Sequence, residues 1–175
     1  MKRVKRVLAL LAAFALVLAM AVPAWAEGNK GNITVQNAKE NEEYKIYRIF
    51  DLESYSENSY SYKMSEKWSK AGFATNSVFK EYFEIVNGYI KPKAEFTDEA
   101  AATFAKNALA FAKEKKIEDD GHQTAGKTGV SFSNLSLGYY LLDTSLGTLC
   151  SLDTTNPAAI LREKNDSPTI EKKVK

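Results

Sequence analysis

The sequence contains little of the side-chain chemistry on which most enzymes and metal proteins depend. Its 175 residues include one cysteine, Cys150, and one histidine, His122. A single cysteine cannot form an internal disulfide, and a lone histidine makes neither a catalytic triad nor a zinc site. We therefore expect a non-enzymatic protein that uses no metal or other cofactor and is stabilised by its hydrophobic core.

The local sequence predicts ordinary roles for these two residues. His122 lies in a polar stretch beside the acidic pair Asp119–Asp120, which is typical of a solvated loop. Cys150 lies in an apolar stretch, where a lone cysteine behaves as a small buried hydrophobe. A reactive thiol or an internal thioester at Cys150 is the alternative.

An excess of charge of one sign is also absent. Lys and Arg total 24 against 22 Asp and Glu, but four of the basic residues fall within residues 2–6. An apolar run over residues 7–22 and the small-x-small sequence Ala24–Ala26 follow, and together they predict an export signal over residues 1–26. Without these four, 20 basic side chains stand against 22 acidic ones, so the rest of the chain is mildly acidic.

This charge balance and the later hydropathy pattern exclude two kinds of partner. Binding of nucleic acid needs a basic surface or a block of lysine and arginine, and residues 27–175 have neither. No stretch after residue 26 has the roughly 18 consecutive apolar residues of a membrane span. We therefore expect a secreted protein that meets the membrane only during export.

Alternating apolar and polar residues predict a protein built mainly of β-strands. The period-2 pattern of a strand with one buried face recurs between turns rich in glycine, asparagine and proline. The predicted strands cover Ile33–Val35, Tyr44–Phe50, Tyr60–Met64, Val130–Phe132, Gly138–Asp143, Thr148–Leu152 and Ala158–Arg162. In the second of these, the pattern puts Tyr44, Ile46, Arg48 and Phe50 on one face.

The middle of the chain has a helical period instead. Ser65–Val86 predicts one or two short amphipathic helices, and Thr97–Lys116 predicts a longer one with Thr97 as its N-cap and an alanine-rich apolar stripe. The stretch Asp119–Gly129 contains glycines and no apolar period, so we predict a loop there. Strands, a helical insertion and more strands favour a β-sandwich with inserted α-helices.

One segment in the second half of the chain carries a family resemblance. Phe132–Asp143 reads Phe-Ser-Asn-Leu-Ser-Leu-Gly-Tyr-Tyr-Leu-Leu-Asp, which resembles the F-x-x-L-P-x-G-x-Y-x-L-x-E segment of Cna-B-like domains in Gram-positive surface adhesins and pilins. The ordered series from Gly31–Val35 through the alanine-rich helix to residues 163–174 is similar to the N-terminal domain of a sortase-assembled pilin. The resemblance implies an immunoglobulin-like, Cna-B-like sandwich over residues 27–165, in a pilus attached to the cell wall.

The resemblance also implies a chemical role for one lysine. In such pilins a class C sortase holds the C-terminal threonine of one subunit as a thioacyl enzyme, and a lysine of the neighbouring subunit attacks it to form an intermolecular isopeptide bond. That lysine ends the closing strand in a V-x-V-Y-P-K-N motif, which aligns with Lys164 followed by Asn165. Arg162 and Glu163 stand where the family has tyrosine and proline. An ordinary solvated lysine is the alternative role for Lys164.

Many domains of this family also close an internal isopeptide bond between a lysine and an asparagine or aspartate, beside a buried acid. The resemblance puts Asn37 at the position of that lysine and Asp143 at the position of the usual glutamate. Because two of the three partners differ, we expect no internal cross-link within residues 27–165. Lys45, Asp143 and Asn165 form the fallback trio.

The last residues bear on the length of the protein. Residues 166–175 resemble a linker and the first strand of a following pilin domain, in which Lys172 matches an isopeptide-forming lysine. The resemblance requires that domain and a sorting signal of the L-P-x-T-G kind, so we expect the chain to be a piece of a longer protein.

Two alternative functions stay open at this point. The first is a minor or tip pilin, or a wall-anchored adhesin, that binds a host surface ligand through the tyrosine-rich region Tyr44–Tyr89. Tyrosines serve as stacking platforms for ligands, although packing within strands is their commoner use. The second is a secreted hydrolase, which would have only His122, Cys150 and scattered carboxylates to work with.

Overall fold

The fold is mainly β, as the alternating pattern predicts. The computed structural model describes residues 30–56, 59–143, 148–153 and 156–162. The strands in these residues are β1 (Lys30–Gln36), β2 (Glu43–Ser56), β3 (Ser59–Met64), β4 (Phe83–Val86), β5 (Tyr89–Pro92), β6 (Gly121–Thr124), β7 (Val130–Ser136), β8 (Gly138–Leu142), β9 (Thr148–Leu152) and β10 (Ala158–Arg162). The α-helices are α1 (Glu66–Lys70), α2 (Ser77–Tyr82) and α3 (Asp98–Glu114), with a 3₁₀ turn at Phe73–Thr75.

The strands form two larger sheets and one separate hairpin. The outer sheet has the order β10-β1-β7, with β10 parallel and β7 antiparallel to β1. The central sheet has the order β3-β2-β8-β9, and β6 pairs with the first residues of β2. β4 and β5 form the hairpin.

The middle of the central sheet is buried on both faces. Every residue of β8 is buried. On one face, the ring of Phe50 in β2 lies 6.3 Å from that of Phe79 in α2 and 5.3 Å from that of Phe83 in β4. On the face toward the outer sheet, Gly121 lies between Ile46 and Phe132. A Cβ on this glycine would be 3.5 Å from both side chains. The domain is therefore a β-sandwich with its helical segment packed on the far face of the central sheet.

The structure confirms the long helix that was predicted over Thr97–Lys116. α3 begins after Thr97, whose Oγ1 accepts the backbone N–H of Ala100 at 3.2 Å. Its buried face carries Phe104 and several alanines. In the last turn, Nζ of Lys113 donates to Oδ1 of Asp143 at 2.9 Å, which ties the end of the helix to the end of β8.

Two segments are strands where the sequence pattern predicts otherwise. Phe83–Val86, predicted as the end of a helix, is β4, because Asn87 and Gly88 have φ of 53° and 83° and fold the chain back into β5. Gly121–Thr124, predicted within a loop, is β6. This strand is polar, so its own residues carry no apolar alternation, and it is defined by its pairing with β2.

A bulge in β2 changes the side of the sheet to which some of its residues point. Arg48 pairs with Tyr140, and Phe50 pairs with Tyr139, so the register shifts by one residue between them. Successive residues of β8 point to opposite sides of the sheet, and their partners in β2 therefore do so too. The prediction that Arg48 and Phe50 share a face is wrong.

Candidate functional site

The strand that leads to the predicted acceptor lysine is β10, and it is paired with β1 over its whole length. The two strands are parallel, and their register ends with Gln36 opposite Arg162. The backbone N–H of Asn32 donates to the carbonyl oxygen of Pro157 at 2.7 Å, and Nε of Arg162 donates to Oε1 of Gln36 at 3.1 Å. Hydrogen bonds therefore fix β10 to β1 at both ends.

Two glycines allow β1 to lie close to its neighbours. A Cβ on Gly31 would be 2.5 Å from the carbonyl oxygen of Pro157, just before β10. A Cβ on Gly129, just before β7, would be 2.3 Å from the carbonyl oxygen of Val35, and Gly129 also has a φ of 107°. Side chains at either position would collide with backbone, so these contacts specify glycine.

β10 forms one edge of the outer sheet and alternates between exposed and half-buried residues. Ala159 and Leu161 pack against the core, whereas Ala158, Ile160 and Arg162 are exposed. Ile160 is 63% exposed. The strand thus leads outward along the surface of the sandwich and not into its interior.

The residues on which the acceptor prediction depends lie outside the described part of the chain. Lys164 and Asn165 follow Arg162 by two and three residues and are not described, and the same holds for Lys172 and for the predicted export signal at residues 1–26. The roles assigned to these residues stay predictions. The structure gives the position of Arg162, the last described residue before Lys164.

Lys45 and Asp143, two members of the fallback trio, are neighbours through their backbones but have different side-chain partners. The N–H of Asp143 donates to the carbonyl oxygen of Lys45 at 2.8 Å. Nζ of Lys45 pairs with Oε2 of Glu43 at 3.0 Å, whereas the carboxylate of Asp143 pairs with Nζ of Lys113 at 2.9 Å. The hydrogen bond and charge of Glu43 raise the pKa of Lys45, so its amine is held in the charged form. Attack on a carbonyl requires the neutral amine, which this arrangement disfavours.

Asn37, where the resemblance puts a cross-linking lysine, lies in the turn after β1. Its φ is 58°, and the residue is exposed. Asparagine adopts this left-handed conformation more readily than most residues do. The residue type at position 37 therefore fits the turn.

Cys150 and His122 have no catalytic surroundings in the described residues. Cys150 is half-buried against the core, and burial raises the pKa of its thiol to about 12, so the thiol is protonated at neutral pH. His122 is exposed on β6, with Nδ1 3.1 Å from Oδ1 of Asp119. In the described residues, no three Cys, His, Asp or Glu side chains are grouped so that they could hold a metal ion.

Sequence reasoning missed a polar cluster where β2 meets the start of β6. Nε of Arg48 lies 2.7 Å from Oδ1 of Asp51. One oxygen of Asp120 accepts the backbone N–H of Arg48 at 2.6 Å, and the other lies 3.0 Å from Nζ of Lys67. In β2, Arg48 comes after two inward-facing apolar residues. A charged side chain at such a position was the sequence feature that could have indicated the polar cluster. The cluster joins β2, α1 and the segment before β6, which is a structural role.

Most of the tyrosines belong to the core. The six buried ones are Tyr44, Tyr47, Tyr62, Tyr82, Tyr139 and Tyr140. Tyr60 and Tyr89 are half-buried, and Nζ of Lys63 lies 5.4 Å from the ring centroid of Tyr89. Packing therefore accounts for these six, and Tyr60 and Tyr89 are the partly exposed tyrosines among the described side chains.

No protein-family model matches the chain, and no curated protein matches it. Among the helices of the described residues, none combines the length and the apolar composition needed to cross a bilayer.

Proposed function

We propose that this protein is a structural subunit of a covalently polymerised surface pilus, in which Lys164 accepts a threonine delivered by a class C sortase. The observation that carries the proposal is the position of β10. This strand lies at the edge of the outer sheet, is parallel to β1, and ends two residues before Lys164. Among the described residues, no strand covers the outer side of β10, so a second protein can approach the strand that precedes Lys164.

The pairing of β10 also suits a subunit that transmits force. A pull on a bond at Lys164 would act along β10, away from its N-terminal end. All five residue pairs between β10 and β1 would then resist sliding together and would not open one after another. β1 is held in turn by β7 on its other side. The load would therefore enter the body of the sandwich through its outer sheet.

The proposed reaction is an acyl transfer. The neutral amine of Lys164 attacks the carbonyl carbon of the threonine thioester, a C–N bond forms, the C–S bond breaks, and the sortase cysteine leaves as a thiolate that takes up the proton lost by the amine. An exposed lysine is protonated at neutral pH. The sortase must therefore remove a proton from the amine of Lys164 before the attack.

Co-expression with a class C sortase and a donor subunit tests the proposal. The expected product is a ladder of heavy polymers that resists boiling in detergent. Lys164→Arg keeps the charge but removes the nucleophilic amine, so the ladder should disappear. Lys127→Arg is the matched control, because Lys127 is exposed in the turn before β7. A ladder that persists in Lys164→Arg, or a branched peptide mapped to another lysine, contradicts the assignment.

An adhesin is the second candidate function, and one observation favours it. The β4–β5 hairpin exposes apolar side chains near its turn, with Ile85 45% and Val86 41% exposed and Tyr89 half-buried beside them. Such a group of apolar and aromatic side chains suits contact with a host surface ligand. Loss of adhesion to host cells in Ile85→Ser, with an intact sortase ladder, would identify this hairpin as the binding region.

A further inference from the structure

The outer side of β10 is an unpaired strand edge within the described residues. In the order β10-β1-β7, one side of β10 is hydrogen-bonded to β1. On its other side, the described residues place no strand. An unpaired edge presents backbone N–H and C=O groups that can pair with another strand.

Within the described residues, this edge lacks three of the features with which proteins prevent such pairing, namely inward-pointing charges, proline within the strand and bulges. β10 is short, and its one charged side chain, Arg162, lies at its end. β10 reads Ala-Ala-Ile-Leu-Arg, its pairing with β1 is regular, and Pro157 precedes the strand and does not interrupt it. Its centre is Ile160, 63% exposed, whereas Ile85 and Val86 are 45% and 41% exposed. The most exposed large apolar side chain of the described residues therefore lies at the middle of an open edge.

The sequence of β10 is complementary to itself in the antiparallel direction. With a two-fold axis at Ile160, this residue faces its own copy, Ala159 faces Leu161, and Ala158 faces Arg162. Each exposed side chain then lies opposite an exposed one, and each half-buried side chain opposite a half-buried one. The two Arg162 side chains lie at opposite ends, roughly 14 Å apart along the strands at about 3.4 Å per residue. No like charges face each other, and each large side chain other than the central isoleucine meets an alanine.

We propose that a second copy of this chain pairs with β10 through this edge, in a symmetric antiparallel contact centred on Ile160. The contact joins two outer sheets into one sheet of six strands. Cross-strand contact between the two isoleucines covers apolar surface that is exposed in the single molecule. A two-fold contact of this kind uses the same patch on both partners and closes after two molecules.

The pairing of single molecules is weak. Five residues on each side bury less than the roughly 1,000 Å² that stable complexes need. Copies that are linked in one fibre gain effective concentration, so many weak contacts add up between neighbouring fibres. This consequence, lateral association of fibres, rests on the proposed function. The contact itself does not, because it needs neither Lys164 nor a sortase.

Sedimentation equilibrium of the purified chain, without sortase, tests the contact. We expect a reversible monomer–dimer equilibrium that is weakened at least tenfold by Ile160→Lys. Ile85→Lys is the matched control and should leave the equilibrium unchanged, because Ile85 is an exposed isoleucine outside the outer sheet. A chain that stays monomeric up to millimolar concentration overturns the proposal, as does equal association of wild type and Ile160→Lys.

A cross-linking experiment tests the register independently of affinity. Directly opposite residues of antiparallel strands have Cα atoms about 4.5–5.5 Å apart, which is within the range that a disulfide spans. Ile160→Cys should therefore form a disulfide-linked dimer at least tenfold faster than Ile85→Cys under the same mild oxidation. Equal rates overturn the symmetric register. In Lys164→Arg the dimerisation should be unchanged, so failure of the polymerisation proposal and failure of this one are distinguishable.

Discussion

Nε of Arg48 lies 2.7 Å from Oδ1 of Asp51, in a half-buried pair on the face of β2 opposite Phe50. Burial raises the pKa of Asp51, Asp120 and Glu53 add to this effect, and Arg48 opposes it. A carboxyl whose pKa is raised on folding binds its proton more tightly in the folded state. Ionised Asp51 therefore weakens the fold at neutral pH, and this cost disappears as the pH falls through its raised pKa toward the ordinary value of 3.8.

The first prediction concerns Asp51→Asn. The free energy of unfolding of wild type, relative to this variant, should rise as the pH falls from 7 to below 4, since only wild type is relieved of a buried charge. Urea denaturation at a series of pH values measures the difference. Glu66→Gln is the control with the opposite sign, because a hydrogen bond from Lys70 lowers the pKa of Glu66. A wild-type advantage over Asp51→Asn that shrinks as the pH falls would contradict this assignment.

The second prediction concerns Trp68, whose side chain is fully buried and whose Nε1 has no hydrogen-bond partner in the described part of the chain. Its ring packs 4.8 Å from that of Phe73 and 6.2 Å from that of Phe111. Trp68→Ala should destabilise the domain by about 3–5 kcal/mol, because it leaves a large cavity. Trp68→Phe should cost much less, because it removes an unsatisfied donor whose burial costs about 1–3 kcal/mol. Chemical denaturation of both variants checks this, and equal losses would mean that the indole N–H has a partner.

The third prediction compares two glycines of one turn. Gly129→Ala should destabilise the domain by at least about 1–3 kcal/mol from backbone strain alone, and the collision of its Cβ with Val35 adds to this. At Gly126, by contrast, a Cβ meets nothing within 4 Å, and φ is not positive. Gly126→Ala should therefore be nearly neutral. Thermal unfolding of the two variants measures the difference, and similar midpoints would show that β1 and β7 do not approach as closely as described.

The fourth prediction concerns cross-linking within the domain. The intact mass of the purified protein should equal the mass that its sequence gives, with no loss of ammonia or water. The physical reason is the charged amine of Lys45, which pairs with Glu43 and not with Asp143. A mass lower by 17 or 18 Da, which is one ammonia or one water, would mean that an internal isopeptide bond forms, and peptide mapping would then locate it.

The sequence predicted those helices and strands whose own residues show a capping residue or an apolar period. Thr97 caps α3 as expected, and the alternation at Tyr44–Phe50 lies within β2. β6 could not be predicted from its sequence, since its polar residues become a strand only by pairing with β2. The bulge between Arg48 and Phe50 was also hidden, because register depends on the partner strand.

The candidate site could be predicted only in part. The sequence indicates a strand at Ala158–Arg162, but not that this strand pairs in parallel with β1 or that it forms an edge. Strand order is set by contacts between residues far apart in the chain, and no local pattern encodes it. The exposure of Ile160 could not be predicted either. An isoleucine in a predicted strand is expected to be buried, and its exposure depends on the strand order.

The position of β1 between β10 and β7 has a consequence for the order in which the domain forms. β1 begins at Lys30, while its two partners begin at Val130 and Ala158, about a hundred residues or more downstream. β1 therefore stays unpaired until both partner strands are available. Contacts so distant in sequence slow the final folding step. The outer sheet therefore closes only once the chain has been made through β10, and any protein that binds the chain before that point meets an unpaired β1.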